Sequence, residues 1–250
     1  MRMARLGLVW MFGGVLLVGC QDPAAQMMQQ LGPAGEVVTA SMKNLGWRRE
    51  GREAESVRFT AIVTTWDEQG KSFTDRQQMV LDLKKKALTS VGSTPQGSWE
   101  AVAEYDGGQI DVDVDGAKGV DVEEVAARMA PTIATMLHRL RGPYNLFGGK
   151  ERARSAEEAL VAGRSVFRVA VGGDNRRAIA YYFDADTAML RFVTAGADSP
   201  GKEGTITFYE YASMESGRAF PSLIRVTEIG THVVLGATPV FEAEISEVEF

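Results

Sequence analysis

Apolar residues recur at every second position through most of the chain after Ser56, and this period of two restricts the fold most strongly. It predicts strands over residues 56–66, 73–83, 87–92, 98–105 and 109–115, separated by turn sequences rich in glycine, proline and aspartate. Beyond residue 163 it predicts further strands in GRSVFRVAV, RRAIAYYF, AMLRFVTAG, GTITFYEY, SLIRVTEIG and FEAEISEVEF. About ten strands joined by short turns favour one curled antiparallel sheet.

Three segments show helical spacing instead. In residues 33–47 the apolar positions predict one short helix. The longest signal is VDVEEVAARMAPTIATMLHRLRG, whose apolar stripe recurs at spacings of three and four and which Gly142-Pro143 ends. Ser155 and Glu158 have the spacing of a capping box, which predicts another short helix over 155–162. The fold class is therefore α+β, with one long and one or two short helices against the sheet.

Several late strands are apolar or aromatic on both faces, so the second face of the sheet also needs a cover. The methionine-rich long helix is the obvious candidate. We expect one stripe of this helix to face the concave side of the sheet and to line an apolar pocket with aromatic residues. The predicted lining residues are Met129, Ile133, Met136, Leu137 and Leu140 on the helix, and Tyr182, Phe192 and Phe208 on the strands. The alternative is that the same stripe fills the core.

The N-terminus, MRMARLGLVWMFGGVLLVGC, has the form of a secretory signal that is too short for a spanning helix. Its last four residues, Leu17-Val18-Gly19-Cys20, resemble the lipobox of bacterial lipoproteins. This resemblance implies that residues 1–19 are removed and that Cys20, the only cysteine, is acylated. Residues 20–35 are predicted to be the lipid anchor and a flexible tether, which leaves 36–250 as a single domain. In the lipoproteins that this lipobox resembles, an aspartate directly after the cysteine retains the protein at the inner membrane. This chain has Gln21 at that position, so the resemblance implies the outer membrane.

The charge of the chain disfavours one class of partner. Removal of the signal takes away two arginines and no acidic residue, so the net charge moves from -6 to -8. Such a surface is repelled by phosphates, so we expect no nucleic-acid ligand and no electrostatic docking on anionic lipid.

The stretch QIDVDVDG contains Asp111, Asp113, Asp115 and Gly116 in the D-x-D-x-D-G order of a calcium loop. On an extended strand, residues two apart are separated by ~6.6 Å, too far for one ion with ligands at ~2.4 Å. The twelfth position, where a calcium loop has a bidentate glutamate, is Val122. The sequence therefore predicts the solvated edge of a half-buried strand and no metal site.

Enzymatic motifs are absent from the sequence. His138 and His232 are the only histidines, and neither has a second ligand or base at a recognisable spacing. No G-x-S-x-G elbow occurs, and GPYNLFGGK lacks the first glycine and the Ser or Thr of a phosphate loop. We therefore expect neither an enzyme nor a cofactor.

Three segments of the C-terminal third form one pattern: YYFDADTAMLRFVTAG with its Asp184-to-Thr187 turn, GTITFYEYASMESGRAFPSLIRVTEIG with Gly217-x-x-Phe220-Pro221, and FEAEISEVEF. This pattern resembles the LolA/LolB/LppX-like superfamily of periplasmic carriers and lipoproteins. It implies an incomplete antiparallel β-barrel whose concave face is closed by helices and receives acyl chains or another apolar ligand. The loop RGPYNLFGG, with Tyr144 and Phe147, is comparable with the apolar loop of LolB.

Two functions follow from these features. The first is a lipid-anchored binding protein on the periplasmic side of the envelope that holds or transfers a lipid or a lipoprotein acyl chain. The alternative is a non-catalytic structural or interaction lipoprotein whose interior is filled. On either view the membrane is reached through Cys20, and an envelope protein is a candidate partner.

Overall fold

The strands predicted from the period of two pair into one antiparallel sheet. The computed structural model describes residues 31–45, 48–49, 52–53, 56–106, 109–146, 153–171, 179–196, 204–213, 218–229 and 238–250. Within these residues the sheet has twelve strands: β3 (Ser56–Trp66), β4 (Ser72–Asp82), β5 (Ala87–Thr94), β6 (Gly97–Asp106), β7 (Gln109–Gly116), β8 (Ala153–Val161), β9 (Arg164–Val171), β10 (Ile179–Asp184), β11 (Leu190–Ala195), β12 (Gly204–Ser213), β13 (Ala219–Ile229) and β14 (Thr238–Glu249). Two short strands, β1 (Arg48–Arg49) and β2 (Arg52–Glu53), pair separately.

The strand order follows the chain outward from one central pair. β3 pairs with β14, and β4 to β7 follow in sequence on one side while β13 back to β8 follow on the other. The first and last strands of the sheet therefore meet in its middle, and β7 and β8 are its two edges. The predicted α+β class with one open, curled antiparallel sheet is therefore confirmed, and the described residues form twelve strands where about ten were expected.

Two α-helices, α1 (Pro33–Asn44) and α2 (Val122–Arg141), contact opposite ends of the sheet. α2 contacts β5, β6 and β7, whereas α1 contacts β8, β9 and β10. Asp121 caps the N-terminus of α2 by accepting a hydrogen bond from the Glu124 amide at 3.0 Å. Gly142, with a φ of 38°, ends the helix and begins a 3₁₀ helix, Gly142–Leu146. Among the described helices, none has the length and apolarity that crossing a bilayer requires.

The two faces of the sheet differ in burial. We call the side of Val57, Phe59, Ala61 and Val63 the inner face, because these β3 residues are buried in the core that also includes α2. Strand pairing places alternate residues of the neighbouring strands on the same face. The opposite side is called the outer face, and in β3 its residues are more exposed.

One prediction of local structure is wrong. The segment predicted as a helix over 155–162 forms β8, which pairs with β9 from Ala153↔Val171 to Val161↔Arg164. The Ser155 and Glu158 pattern describes only local hydrogen bonding, and pairing with an available sheet edge outweighs it. The short helix predicted over 33–47 is present as α1, which begins at Pro33, and Leu31 before it is buried.

The aspartates of QIDVDVDG lie on a strand, as predicted. Asp111, Asp113 and Asp115 are exposed, while Val112 and Val114 between them are partly buried against the core. Across the described part of the chain, no group of three acidic, histidine or cysteine residues is arranged to hold a metal ion. The motif therefore belongs to an edge strand, where exposed charges oppose pairing with other chains.

The Asp184-to-Thr187 turn is built around one carboxylate. Asp184 Oδ1 accepts hydrogen bonds from the Thr187 amide and hydroxyl, both at 2.9 Å, and Oδ2 accepts two from Arg191 at 3.2 Å. Burial alone would raise the pKa of Asp184, but the bonds from Thr187 and Arg191 hold that pKa below its ordinary value. This part of the family resemblance is therefore a structural device that joins β10 to β11.

Candidate functional site

A pocket of about 280 Å³ opens between α2 and the inner face of β3, β4 and β5. It lies beside the area that α2 covers most closely, because the helix makes its main contacts with β5, β6 and β7. The lining residues are Val63, Thr65, Phe73, Thr74, Asp75, Gln77, Ser93, Thr94, Pro95, Arg128, Met129 and Thr132. This volume lies just below the range of about 300–1,000 Å³ for ligand pockets and suits a single slender ligand.

One side of this pocket is apolar. Val63 and Met129 are buried residues of the core that also line the pocket, and Phe73 is 45% exposed at its mouth. The Lys71 ammonium lies 4.9 Å from the centroid of the Phe73 ring, within cation–π range. An apolar ligand in the pocket would cover Phe73 and remove its surface from water, which is favourable.

The other side of the pocket is polar, and its key residues come from β4. Asp75 pairs with Val63 and Gln77 pairs with Ala61, so both side chains lie on the inner face. The Gln77 side chain is only 1% exposed, and its Oε1 accepts a hydrogen bond from the Ser90 hydroxyl at 2.8 Å. Gln77 Nε2 and Asp75 Oδ2 are also buried, and among the described residues neither has a hydrogen-bond partner.

The helix stripe predicted from the sequence is divided between the pocket and the core. Met129 lines the pocket. Ile133, Met136, Leu137 and Leu140 are buried in the core cluster and do not line this pocket. Most of the predicted stripe therefore fills the space beneath α2, which was the alternative interpretation of its pattern.

The predicted aromatic residues lie on the other side of the sheet. Tyr182, Phe192 and Phe208 are paired neighbours across β10, β11 and β12. The next residue of β12, Tyr209, points to the inner face, where its hydroxyl donates to the Arg139 carbonyl of α2 at 3.1 Å. Because successive residues of a strand alternate between faces, the three aromatic residues lie on the outer face. The prediction that they share a pocket with the helix stripe is wrong.

On the outer face these aromatic residues form a ladder of ring contacts. The Tyr182 and Phe192 rings stack with centroids 4.2 Å apart, and the Phe192 and Phe208 centroids are 6.1 Å apart. Arg168 extends the ladder by donating to the Tyr182 hydroxyl at 3.2 Å and to Glu157 at 2.7 Å. Such cross-strand pairs stabilise a sheet. Phe208 at the end of the ladder is 44% exposed.

Three predicted residues lie wholly or partly outside the described structure. Cys20 and Phe147 are not among the described residues, and the Tyr144 side chain is also outside them. Leu146, between Tyr144 and Phe147, is buried. Acylation of Cys20 and the role of the loop therefore stay predictions.

The C-terminal end of α2 is held by a polar cluster. The guanidinium of Arg141 lies 4.1 Å from the centroid of the Tyr105 ring, and Arg141 Nε donates to Asn145 Oδ1 at 3.2 Å. Asn145 Nδ2 donates to the His138 carbonyl at 3.1 Å. Burial, together with the charges of Arg139 and Arg141, lowers the pKa of His138 to about 4. His138 is therefore neutral at pH 7.

The polar residues of the pocket were not predicted from the sequence. Asp75 and Gln77 are in phase with Met79 and Leu81, the buried positions of SFTDRQQMVLD. Polar residues at inward positions of a strand are uncommon because their burial costs free energy. That phase was a signal that could have identified the site.

Among the comparisons with known proteins, only the search of solved structures gives matches. No protein-family model matches the chain, and no curated protein matches it. Among solved structures, a putative outer membrane lipoprotein-sorting protein domain from Vibrio parahaemolyticus matches with a TM-score of 0.51 and 12% identity, over 91% of this chain and 93% of that chain. A LolA superfamily protein from Nitrosomonas europaea matches with a TM-score of 0.49 and 8% identity, over 85% of this chain and 92% of that chain. At 12% identity, the likeness to the Vibrio domain shows a shared fold and nothing beyond the fold.

Proposed function

We propose that the chain is a lipid-anchored binding protein of the bacterial cell envelope, facing the periplasm, that holds or transfers an apolar ligand. The observation that carries this proposal is the pocket between α2 and the inner face of β3 to β5. Val63 and Met129 provide buried apolar walls, and Phe73 provides an exposed aromatic ring at the mouth. This combination suits a ligand that is mainly apolar.

The fold supports the class of ligand. The Vibrio protein is described as a putative outer membrane lipoprotein-sorting domain. From that description we carry over only the class of cargo, a lipoprotein, and we propose that its acyl chain, or another lipid, is the apolar ligand. The anchor at Cys20 would place such a binding site next to a membrane that contains these ligands, and acyl chains on one residue provide stable attachment.

One observation favours the alternative, a structural lipoprotein with a filled interior. Ile133, Met136 and Leu137 have no exposed surface, so the space directly beneath α2 is packed. On this view the pocket beside the helix is a surface cleft without a dedicated ligand. The two functions differ in whether an apolar molecule binds at Met129.

Two substitutions on α2 distinguish these functions. Met129→Trp adds bulk within the pocket, whereas Met136→Trp adds bulk within the packed core. Both are made in the full chain carrying Cys20→Ser, which removes the predicted acylation site and leaves every described residue unchanged. We measure binding of the neutral fluorescent dye N-phenyl-naphthylamine, and unfolding in urea.

The carrier function predicts that the parent chain binds the dye and that Met129→Trp weakens this binding while the free energy of unfolding stays within about 1 kcal/mol. Met136→Trp should instead lower the free energy of unfolding by ~1–3 kcal/mol, because it overpacks the core. Absence of dye binding to the parent chain, with no lipid found by native mass spectrometry, would leave the structural function.

A further inference from the structure

The buried polar atoms of the pocket require a polar partner. Gln77 Nε2 is a hydrogen-bond donor and Asp75 Oδ2 is an acceptor, and neither is satisfied by another described residue. The opposite end of the Gln77 amide is held by the Ser90 hydroxyl, which orients Nε2. A buried polar group without a partner is destabilising, so native structures rarely keep one without a reason. A donor and an acceptor on the same strand, two residues apart, indicate where a ligand's polar group would bind.

The charges around the pocket restrict the chemistry of that group. Asp75 carries a carboxylate, which repels a ligand phosphate or carboxylate. Arg128 on α2 also lines the pocket, and Lys71 lies against Phe73 at the mouth. These two positive charges repel the ammonium group of a protonated amine ligand. An ammonium group, moreover, cannot accept a hydrogen bond from the Gln77 amide. A hydroxyl can donate to Asp75 and accept from Gln77, and an amide has the same two capacities.

Building on the proposed function, we propose that this pocket selects apolar ligands whose polar end is a neutral hydroxyl or amide. The polar end binds between Asp75 and Gln77, and the alkyl part lies against Val63, Phe73 and Met129. The volume of about 280 Å³ limits the bound part to one slender chain. Ligands with anionic or cationic ends bind less well.

The test compares linear probes of ten or eleven carbons that differ in the end group: decanol, decanoate and decylamine, with undecane as the apolar reference. Affinities are measured at pH 7 by displacement of N-phenyl-naphthylamine from the full chain carrying Cys20→Ser. The variants are Gln77→Leu, which removes the donor, and Asp75→Asn, which removes the negative charge. Gln78→Leu is the matched control, because Gln78 is exposed on the outer face of the same strand.

We expect decanol to bind more tightly than the other three probes. Gln77→Leu should lower the affinity for decanol by about fivefold to tenfold, which corresponds to the loss of one hydrogen bond, and leave the affinity for undecane unchanged. Asp75→Asn should raise the affinity for decanoate by about tenfold or more relative to that for decanol, because the negative charge of Asp75 no longer repels the decanoate carboxylate. Gln78→Leu should change none of these affinities.

Several results would overturn the inference while the proposed function stands. These are equal binding of decanol and undecane, tighter binding of decylamine than decanol, or a decanol affinity that Gln77→Leu does not change. If Gln77→Leu fails to fold because Ser90 loses its acceptor, the double variant Gln77→Leu with Ser90→Ala replaces both partners and gives the same comparison. If the dye and all four probes fail to bind the parent chain, both the inference and the proposed function are rejected.

Discussion

Gly92 on β5 provides the sharpest test of the packing. It pairs with Trp99 on β6, and a Cβ atom at Gly92 would lie 2.3 Å from Trp99 Cζ2 and 2.5 Å from Cε2. Trp99 is only 1% exposed, so its indole is enclosed by the core and cannot move aside freely. The φ angle of Gly92 lies outside the left-handed region, so an alanine at this position meets no backbone strain. The effect of Gly92→Ala is therefore a steric effect of the side chain.

The magnitude follows from two opposing terms. Overpacking a core with one methyl group costs ~1–3 kcal/mol. Replacing glycine by alanine also restricts the unfolded chain, which returns ~0.4–1 kcal/mol of stability. We therefore expect Gly92→Ala to lower the free energy of unfolding by about 1–2 kcal/mol. For a domain of this size each kcal/mol lowers the melting temperature by about 2–4 °C.

The assay is urea unfolding followed by circular dichroism. Ser93→Ala is the matched control on the same strand, because Ser93 is exposed and its loss should change the stability by less than about 0.5 kcal/mol. Trp99→Phe removes the indole atoms that the new methyl group would meet, so Gly92→Ala should cost less than half as much in that background. An equal cost of Gly92→Ala in both backgrounds would refute the reasoning.

Three further predictions concern α2 and the anchor. The pKa of His138 is about 4 in the folded chain against 6.5 unfolded, so the neutral side chain contributes stability that is present above pH 6.5 and lost as the pH falls towards 4. The loss should reach roughly 3 kcal/mol. Between pH 7 and pH 4, the free energy of unfolding measured in urea should therefore fall less for His138→Gln than for the parent chain. Identical falls in the two proteins would contradict the pKa shift. Tyr209→Phe removes the hydrogen bond to the Arg139 carbonyl and should cost about 1 kcal/mol in the same assay, so an unchanged stability would mean that this bond contributes nothing. Cys20→Ala should abolish labelling of the chain by radioactive palmitate in bacterial cells, and undiminished labelling would reject the anchor.

Most secondary structure could be predicted because its signals are local. The five strands from β3 to β7 match their predicted ranges to within two residues, and α2 ends at the predicted Gly142. Alternation of apolar residues identifies a strand, and a stripe at spacings of three and four identifies a helix, without reference to the rest of the molecule. The strand character of Asp111, Asp113 and Asp115 followed from the same alternation.

The candidate site was predicted less well because it depends on which face of each strand is covered. Tyr182 and Phe192 belong to strands that are apolar on both sides, so alternation did not assign either residue to the inner face. Asp75 and Gln77 are polar, which by residue type favours the surface, yet they are in phase with the buried Met79 and Leu81, and β4 pairs with β3 in a register that turns them inward. Of the predicted site residues whose side chains the structure describes, Met129 alone lines the pocket.

The sequence by itself determined the periodicity of the elements, the turn at Asp184 and the apolar stripe of α2, because each depends on interactions between residues close along the chain. The tertiary structure alone decided that 153–161 forms a strand, that the stripe of α2 divides between core and pocket, and that the pocket has a polar side. Each of these depends on contacts between distant segments, such as β8 with β9 and α2 with β5 to β7. A strand has two faces, and only the packing of the remaining chain determines which face is removed from water.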